Sequence, residues 1–148
     1  MAIQPSHHIL VVEDSDDDFE ATRRAFDKAG LANPIDRCSD GDEALDYLNC
    51  EGDYADRDPD TELGIILLDL NLPGTDGREV LEAVKGSTST RDIPVIVLTT
   101  SNDKKDIDAC YALGANSYMQ KPVDLHGFME AIVRLKEYWF EVVVLPRS

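Results

Sequence analysis

Three acidic side chains stand directly after apolar runs, and their placement is the first chemical signal in this sequence. Glu13 and Asp14 follow Ile9 to Val12, and Asp69 follows Ile65 to Leu68. Thr99 closes a further run, Val95 to Leu98, while Lys121 and Pro122 come just after a short one at Ser117 to Met119. If these runs are neighbouring strands, one rim of the sheet collects three carboxylates, a hydroxyl and an amine. Carboxylates brought within a few ångströms repel one another, and they protonate or splay unless a cation joins them. Oxygen donors with no Cys or His nearby select a hard ion, and few protein ligands with retained waters suit magnesium better than calcium. With that ion in place one carboxylate can act as a nucleophile toward a phosphoryl group. Lys121 and the metal would then stabilise charge on the phosphoryl oxygens, and Thr99 would add a neutral hydrogen bond. The string Asp14-Ser15-Asp16-Asp17-Asp18 has a passing likeness to a calcium loop, but it lacks the glycine and the distal glutamate in register.

The elements that must position these groups follow from periodicity. Ile9 to Val12, a weaker run around Ile35, Ile65 to Leu68, Val95 to Leu98 and Ser117 to Met119 each read as a strand. Helical spacing recurs after each of them: Phe19, Thr22 and Phe26; Ala44, Leu45 and Leu48; Val80, Leu81 and Val84; Ile107, Cys110 and Leu113; Phe128, Ile132 and Leu135. Strands without polar alternation are expected where helices cover both faces of a parallel sheet. The prediction is a doubly wound α/β domain with a five-stranded parallel sheet, flavodoxin-like, in the order 2-1-3-4-5. In that order ligands bind beyond the carboxyl ends of strands 1 and 3, where Glu13, Asp14 and Asp69 fall. Helix starts are expected at Asp40 with Glu43 three residues on, at Ser101 or Asn102, and at Asp124; Gly30 and Gly114 are expected to stop helices. The acidic stretch from Cys50 to Glu62 lacks periodicity and reads as an exposed loop.

At 148 residues the chain has the length of one domain. A formal charge of −16 would repel nucleic-acid phosphates, and no Lys/Arg cluster offsets it locally, so nucleic-acid binding is not expected. No apolar run approaches the length that crosses a bilayer, and Met1 to Ser6 shows no basic flank before an apolar stretch. A cytoplasmic location is therefore expected, with no membrane partner. Three well-separated cysteines, Cys38, Cys50 and Cys110, suit reduced packing thiols better than a disulfide framework. His7, His8 and His126 have no partner pattern and read as surface residues.

The strings ILVVEDS, IILLDLNLPGTDG, PVIVLTTS and GANSYMQKP resemble, in order and spacing, the four motifs of response-regulator receiver domains, over about residues 7 to 136. The resemblance implies that Asp69 is the phosphoacceptor, that Glu13 and Asp14 are the metal acids, and that the Asn71 carbonyl is a further ligand to magnesium. It places Thr99 as the switch hydroxyl, Lys121 as the phosphate-binding lysine and Tyr118 as the switch aromatic. It also implies a sensor histidine kinase as phosphoryl donor, and a surface change on the face of the fourth helix, fifth strand and fifth helix. Thr100 stands where the family often has alanine or glycine, and Asn71 and Ser101 occupy variable positions beside the attacking water. These three are candidates for setting the lifetime of the phosphoryl group.

The tail Tyr138-Trp139-Phe140-Glu141-Val142-Val143-Val144-Leu145-Pro146 is costly to leave exposed, and its valine run before a proline favours an extended segment over more helix. Together with the long loop before strand 3, it resembles the small single-domain regulators paired with phytochrome-type histidine kinases. The chain is read as an N-terminal segment 1–6, a receiver domain 7–137 and a hydrophobic arm 138–148, and the likeness implies a homodimer through the face of the fourth helix, fifth strand and fifth helix together with that arm. Folding back onto the fifth helix is the alternative for the tail.

Each residue singled out also has an ordinary explanation. Asp14 or Ser15 could cap the first helix, Asp69 could open a turn toward Pro73-Gly74, Thr99 could close a strand, and Lys121 could be solvated. Their coincidence on one rim is what favours chemistry. Two rival functions meet specific obstacles. A phosphatase of the haloacid dehalogenase type needs a second aspartate two residues after its nucleophile, where this chain has Asn71. A flavodoxin-like electron carrier needs a phosphate-cradling loop after strand 1, where this chain is acidic.

Overall fold

The computed structural model describes residues 3–122 and 124–144. Five strands, β1 (His8–Val12), β2 (Ile35–Cys38), β3 (Leu63–Leu68), β4 (Val95–Thr99) and β5 (Ser117–Gln120), alternate with five helices, α1 (Asp16–Lys28), α2 (Gly41–Asn49), α3 (Gly77–Gly86), α4 (Lys104–Ala112) and α5 (Leu125–Glu137). All strand pairings are parallel and the order is β2-β1-β3-β4-β5, as expected.

The unbroken apolar strands serve two cores, because successive side chains leave a strand on opposite faces. Ile9, Val11, Ile65, Leu67, Ile96 and Leu98 pack with Phe26 of α1 and Phe128, Ile132 and Leu135 of α5. Leu10, Val12, Ile66, Leu68, Val95 and Val97 face the other way and pack with Ala44 and Tyr47 of α2, Val80, Leu81 and Val84 of α3, and Cys110 of α4. The sheet edges differ from the centre. In β2 only Cys38 is buried, no residue of β5 is fully buried, and α4 buries Cys110 alone.

Helix boundaries follow the expected chemistry with one correction. Ser15, Asp40, Asp76 and Asp124 cap α1, α2, α3 and α5 by accepting a backbone N–H bond within the first turn. The cap of α4 is Asp103, not Ser101 or Asn102: its carboxylate accepts from the Lys105 N–H. Ser101 is occupied otherwise, donating its hydroxyl to Asp106 at 2.7 Å. Gly30 and Gly114 sit just past α1 and α4 with φ of 83° and 102°, a left-handed backbone that glycine adopts without penalty.

Two other expectations are corrected. His7 is buried, not at the surface: its Nδ1 accepts the Gln4 N–H, and its Nε2 lies 2.7 Å from the Glu62 carboxylate. The tail does not leave α5 as an extended segment. Tyr138–Val142 continues the helix as one π-helical turn in which the Val143 N–H reaches the Tyr138 carbonyl at 3.0 Å, and only from Val143 is the backbone extended. Lys136 and Glu141, five residues apart, pair at 3.0 Å across that wider turn. The cause is Trp139, which is buried in the α1/α5 core with Phe140 and Val143 packed beside it. Leu145 and Pro146 lie outside the described residues.

Candidate functional site

Glu13, Asp69 and Lys121 are each the first residue past a strand, and each is still bonded to the neighbouring strand. The Glu13 N–H donates to the Cys38 carbonyl at 3.0 Å, the Asp69 N–H to Val12 at 3.0 Å, and the Lys121 N–H to Thr99 at 2.6 Å. The ladder thus continues one step beyond the regular sheet and fixes these backbones at the rim. The geometry expected from apolar run plus polar successor follows from this.

At the centre lies Lys121. Its Nζ donates to Glu13 Oε1 at 2.5 Å, to Asp18 Oδ2 at 2.9 Å and to Asp69 Oδ2 at 3.1 Å. Glu13, Asp69 and Lys121 are 4%, 8% and 7% exposed, so this is a charge cluster in the fold's interior, not a surface pair. Burial opposes the charge on Lys121, but hydrogen bonds to Glu13 and Asp18 and the fields of Glu13 and Asp69 outweigh it and hold the ammonium above the ordinary lysine range. Burial also raises the Glu13 carboxyl above its usual range, against the pull of Lys121 and with the help of Asp69.

Carboxylate oxygens of Glu13, Asp14 and Asp69 lie within 4.8 Å of one another, with Asp14 exposed. This oxygen-only donor set, two acids buried and the third open to water, fits a hard divalent cation that keeps part of its hydration shell. Asp69 is further oriented by the Asn71 N–H, which donates to its Oδ1 at 3.1 Å, while the Asn71 side chain faces solvent.

Thr99 is fully buried at the end of β4, and Thr100 beside it is exposed. The Tyr118 hydroxyl donates to the Ser101 carbonyl at 2.9 Å, so the aromatic ring on β5 is tied to the β4–α4 connection. That connection is tied in turn to two helices. Ser101 Oγ donates to Asp106 of α4, and Arg78 of α3 pairs with both Asp106 and Asp76. The Ser101 and Arg78 hydrogen bonds hold the Asp106 carboxyl below its ordinary range.

The loop from Asp69 to Asp76 is clamped between two glycines. A Cβ on Gly77 would come 2.7 Å from the Leu70 Cα, and one on Gly41 would come 2.7 Å from the Thr75 carbonyl carbon, both backbone atoms that cannot yield without moving the loop. Gly77→Ala is expected to destabilise the fold by about 2 kcal/mol, since overpacking against backbone is relieved only by displacement. Urea denaturation checks this, and an unchanged midpoint would contradict the clamp.

Asp18 and the Arg78–Asp106 pair were not singled out from the sequence. Asp18 carries no signal of its own in the sequence, being one of three successive aspartates in the first turn of α1. Of the arm residues, Tyr138, Val142 and Val144 are exposed, Phe140 and Val143 are half-buried, and Trp139 is buried.

Residues 9–133 match the response regulator receiver domain family. The chain belongs to that family. Among its relatives, this receiver domain is 37% identical to the response regulator Rcp1 of Synechocystis over 144 residues, covering 97% of this chain and 96% of Rcp1. The crystal structure of the phosphorylated cyanobacterial phytochrome response regulator RcpA superposes with a TM-score of 0.88 at 35% identity, covering 95% of this chain and 99% of that one. The Mn(2+)-bound form of Rcp1 gives the same TM-score, identity and coverage. This receiver domain is thus the signalling module of a two-component response regulator. Among the described residues, no helix is long and apolar enough to cross a membrane.

Proposed function

We propose that this receiver domain accepts a phosphoryl group on Asp69 from a sensor histidine kinase, in a reaction that requires magnesium held by Glu13, Asp14, Asp69 and the Asn71 carbonyl. The observation that carries the reading is the meeting, at one sheet rim, of a buried Asp69 with two further acids and with the Lys121 ammonium at 3.1 Å. An Asp69 oxygen attacks phosphorus, the bond from phosphorus to the donor's imidazole nitrogen breaks, and the electron pair leaves with the imidazole. When bound, the cation supplies positive charge for the phosphoryl oxygens. Lys121 supplies the same from the protein side, and Thr99 offers a hydroxyl to the product.

The added charge of about −1.5 to −2 would draw Thr99 and Lys121 toward it. Tyr118, tied to the Ser101 carbonyl, would register that movement and pass it to the α4–β5–α5 face, the proposed output surface. Asn71, whose N–H bonds the acceptor carboxylate, and Thr100 and Ser101, which directly follow Thr99, are proposed to tune hydrolysis. The protein turns over no external substrate in this reading; it catalyses only its own phosphorylation and dephosphorylation. A phytochrome-type kinase is the proposed donor, supported by the likeness to RcpA and Rcp1. Residues 7–137 are proposed as the working receiver and 138–148 as an arm favouring a homodimer in the cytoplasm.

Incubation with acetyl phosphate and magnesium, followed by intact mass, tests the central step. Wild type is expected to gain one phosphoryl group and Asp69→Asn none. An adduct on both, or on neither, would overturn the proposal.

A further inference from the structure

An ammonium has three N–H donors, and Lys121 has three carboxylates around it. Glu13 and Asp69 belong to the trio of acids that approach one another within 4.8 Å; the third partner, Asp18, does not. Its place is nonetheless rigid. Asp18 sits in the first turn of α1, where its backbone N–H donates to the Ser15 hydroxyl at 3.2 Å and its carbonyl accepts from the Thr22 hydroxyl at 2.9 Å. A carboxylate on so fixed a backbone reaches across to a lysine 103 residues away in sequence.

We propose that Asp18 is a positioning residue: together with Glu13 it anchors two of the three Lys121 N–H groups, so that the third is aimed at the Asp69 oxygen that receives the phosphoryl group. This rests on the reading of Asp69 as the acceptor. When Asp69 is phosphorylated, its Oδ2 contact with Lys121 passes to a phosphoryl oxygen, while Glu13 and Asp18 keep theirs. The ammonium then needs no reorientation at the moment of transfer, which is how fixed donors accelerate a charged step. Asp18 also has a cost, because it adds a negative charge beside a site that must admit an anionic phosphodonor.

The two effects separate in kinetics. Removing Asp18 should weaken the aim, seen as a lower maximal rate, and weaken the repulsion, seen as a lower half-saturating donor concentration. Asp17 provides the control: it is exposed, lies in the same helical turn and carries the same charge, and it makes no hydrogen bond to Lys121. Both substitutions remove one acid from the first turn of α1, so any helix-dipole cost is shared.

The experiment measures phosphorylation by acetyl phosphate with magnesium for wild type, Asp18→Ala, Asp18→Glu and Asp17→Ala, with Asp69→Asn as the blank. Asp18→Ala is expected to lower the maximal rate about threefold to tenfold, the share of one partly exposed charged hydrogen bond. Asp17→Ala is expected to lower only the half-saturating concentration, and Asp18→Glu to recover most of the lost rate. A second readout needs neither donor nor metal: 15N relaxation of the Lys121 Nζ should show a looser ammonium in Asp18→Ala and a wild-type one in Asp17→Ala. Equal maximal rates in the two alanine variants, or an equally ordered Lys121, would overturn the proposal. If wild type takes up no phosphoryl group, or Asp69→Asn takes it up equally, the reading of Asp69 fails instead, and the relaxation contrast still reports separately on the hold of Asp18.

Discussion

Lys121→Met is expected to destabilise the fold by about 3 kcal/mol at neutral pH, because it leaves two buried carboxylates without their cation. Glu13 and Asp69 are almost fully buried, and Lys121 is their shared cationic partner. The deficit should depend on pH in a defined direction. Burial already raises the folded-state pKa of Glu13, and loss of Lys121 removes the pull that held it down. An acid with a raised folded-state pKa binds a proton in the native state that the unfolded chain lacks, in the window between the two values. Stability contributed in this way is present at low pH and lost as pH rises through the folded-state pKa. The variant should therefore approach wild type on acidification through the window above the ordinary glutamate range, and fall furthest behind above it. A divalent cation, binding the native state alone, should narrow the gap at neutral pH. Urea denaturation across pH, with and without magnesium, reads all three results; a deficit independent of pH and metal would show that packing of the lysine stem matters more than its charge.

Trp139→Ala is expected to cost a comparable amount, about 3 kcal/mol, through loss of a large side chain from the α1/α5 core. It is the chain's single tryptophan, so wild-type fluorescence reports on the tail directly and denaturation of the variant must be followed by circular dichroism. The neighbouring residues point the other way. Tyr138 and Val142 are 54% and 67% exposed, and Tyr138→Ser with Val142→Ser should leave the denaturation midpoint nearly unchanged while lowering the mass seen by light scattering if they join two copies. Truncation at Glu137 would confuse the two roles, since it removes a core residue along with the exposed ones. A Trp139→Ala variant as stable as wild type would mean that the tail does not pack on its own domain.

The central strands were legible because burial on both faces leaves them no polar residues; Ile65 to Leu68 is the clearest instance. The second strand was faint for the opposite reason. Ile35–Cys38 lies at the sheet edge, and its Asp36 and Arg37 are half-buried with polar partners: Asp36 accepts from the Tyr47 hydroxyl and pairs with His8, and Arg37 donates to the Glu13 carbonyl. The apolar spacing favours Leu45 and Leu48 over Tyr47 because of the tyrosine hydroxyl, yet that hydroxyl is satisfied by Asp36 and the ring is buried. The start of α4 is ambiguous because Ser101, Asn102 and Asp103 all suit a cap, and only the local bonds of the Ser101 hydroxyl, to the Asp106 carboxylate and from the Asp103 N–H, assign Ser101 elsewhere. At the site, Glu13, Asp14, Asp69 and Lys121 could be placed because strand ends set their positions. Asp18 could not, since three successive aspartates at a helix start are explained equally well by the helix dipole. The burial of His7 and Trp139 leaves no local pattern in the sequence, because residues near the termini become core only through packing against other elements.

The thin anchoring of α4 and β5 has a thermodynamic consequence. An element that buries one side chain, beside an edge strand that fully buries none, forfeits little when it shifts, so its local opening lies far below the cost of unfolding the whole domain. Backbone amides there should exchange with deuterium well before those of β1 and β3, whose every partner strand is in place. The molecule is divided into a stiff floor and a compliant edge, and the compliant edge is the one that holds Tyr118.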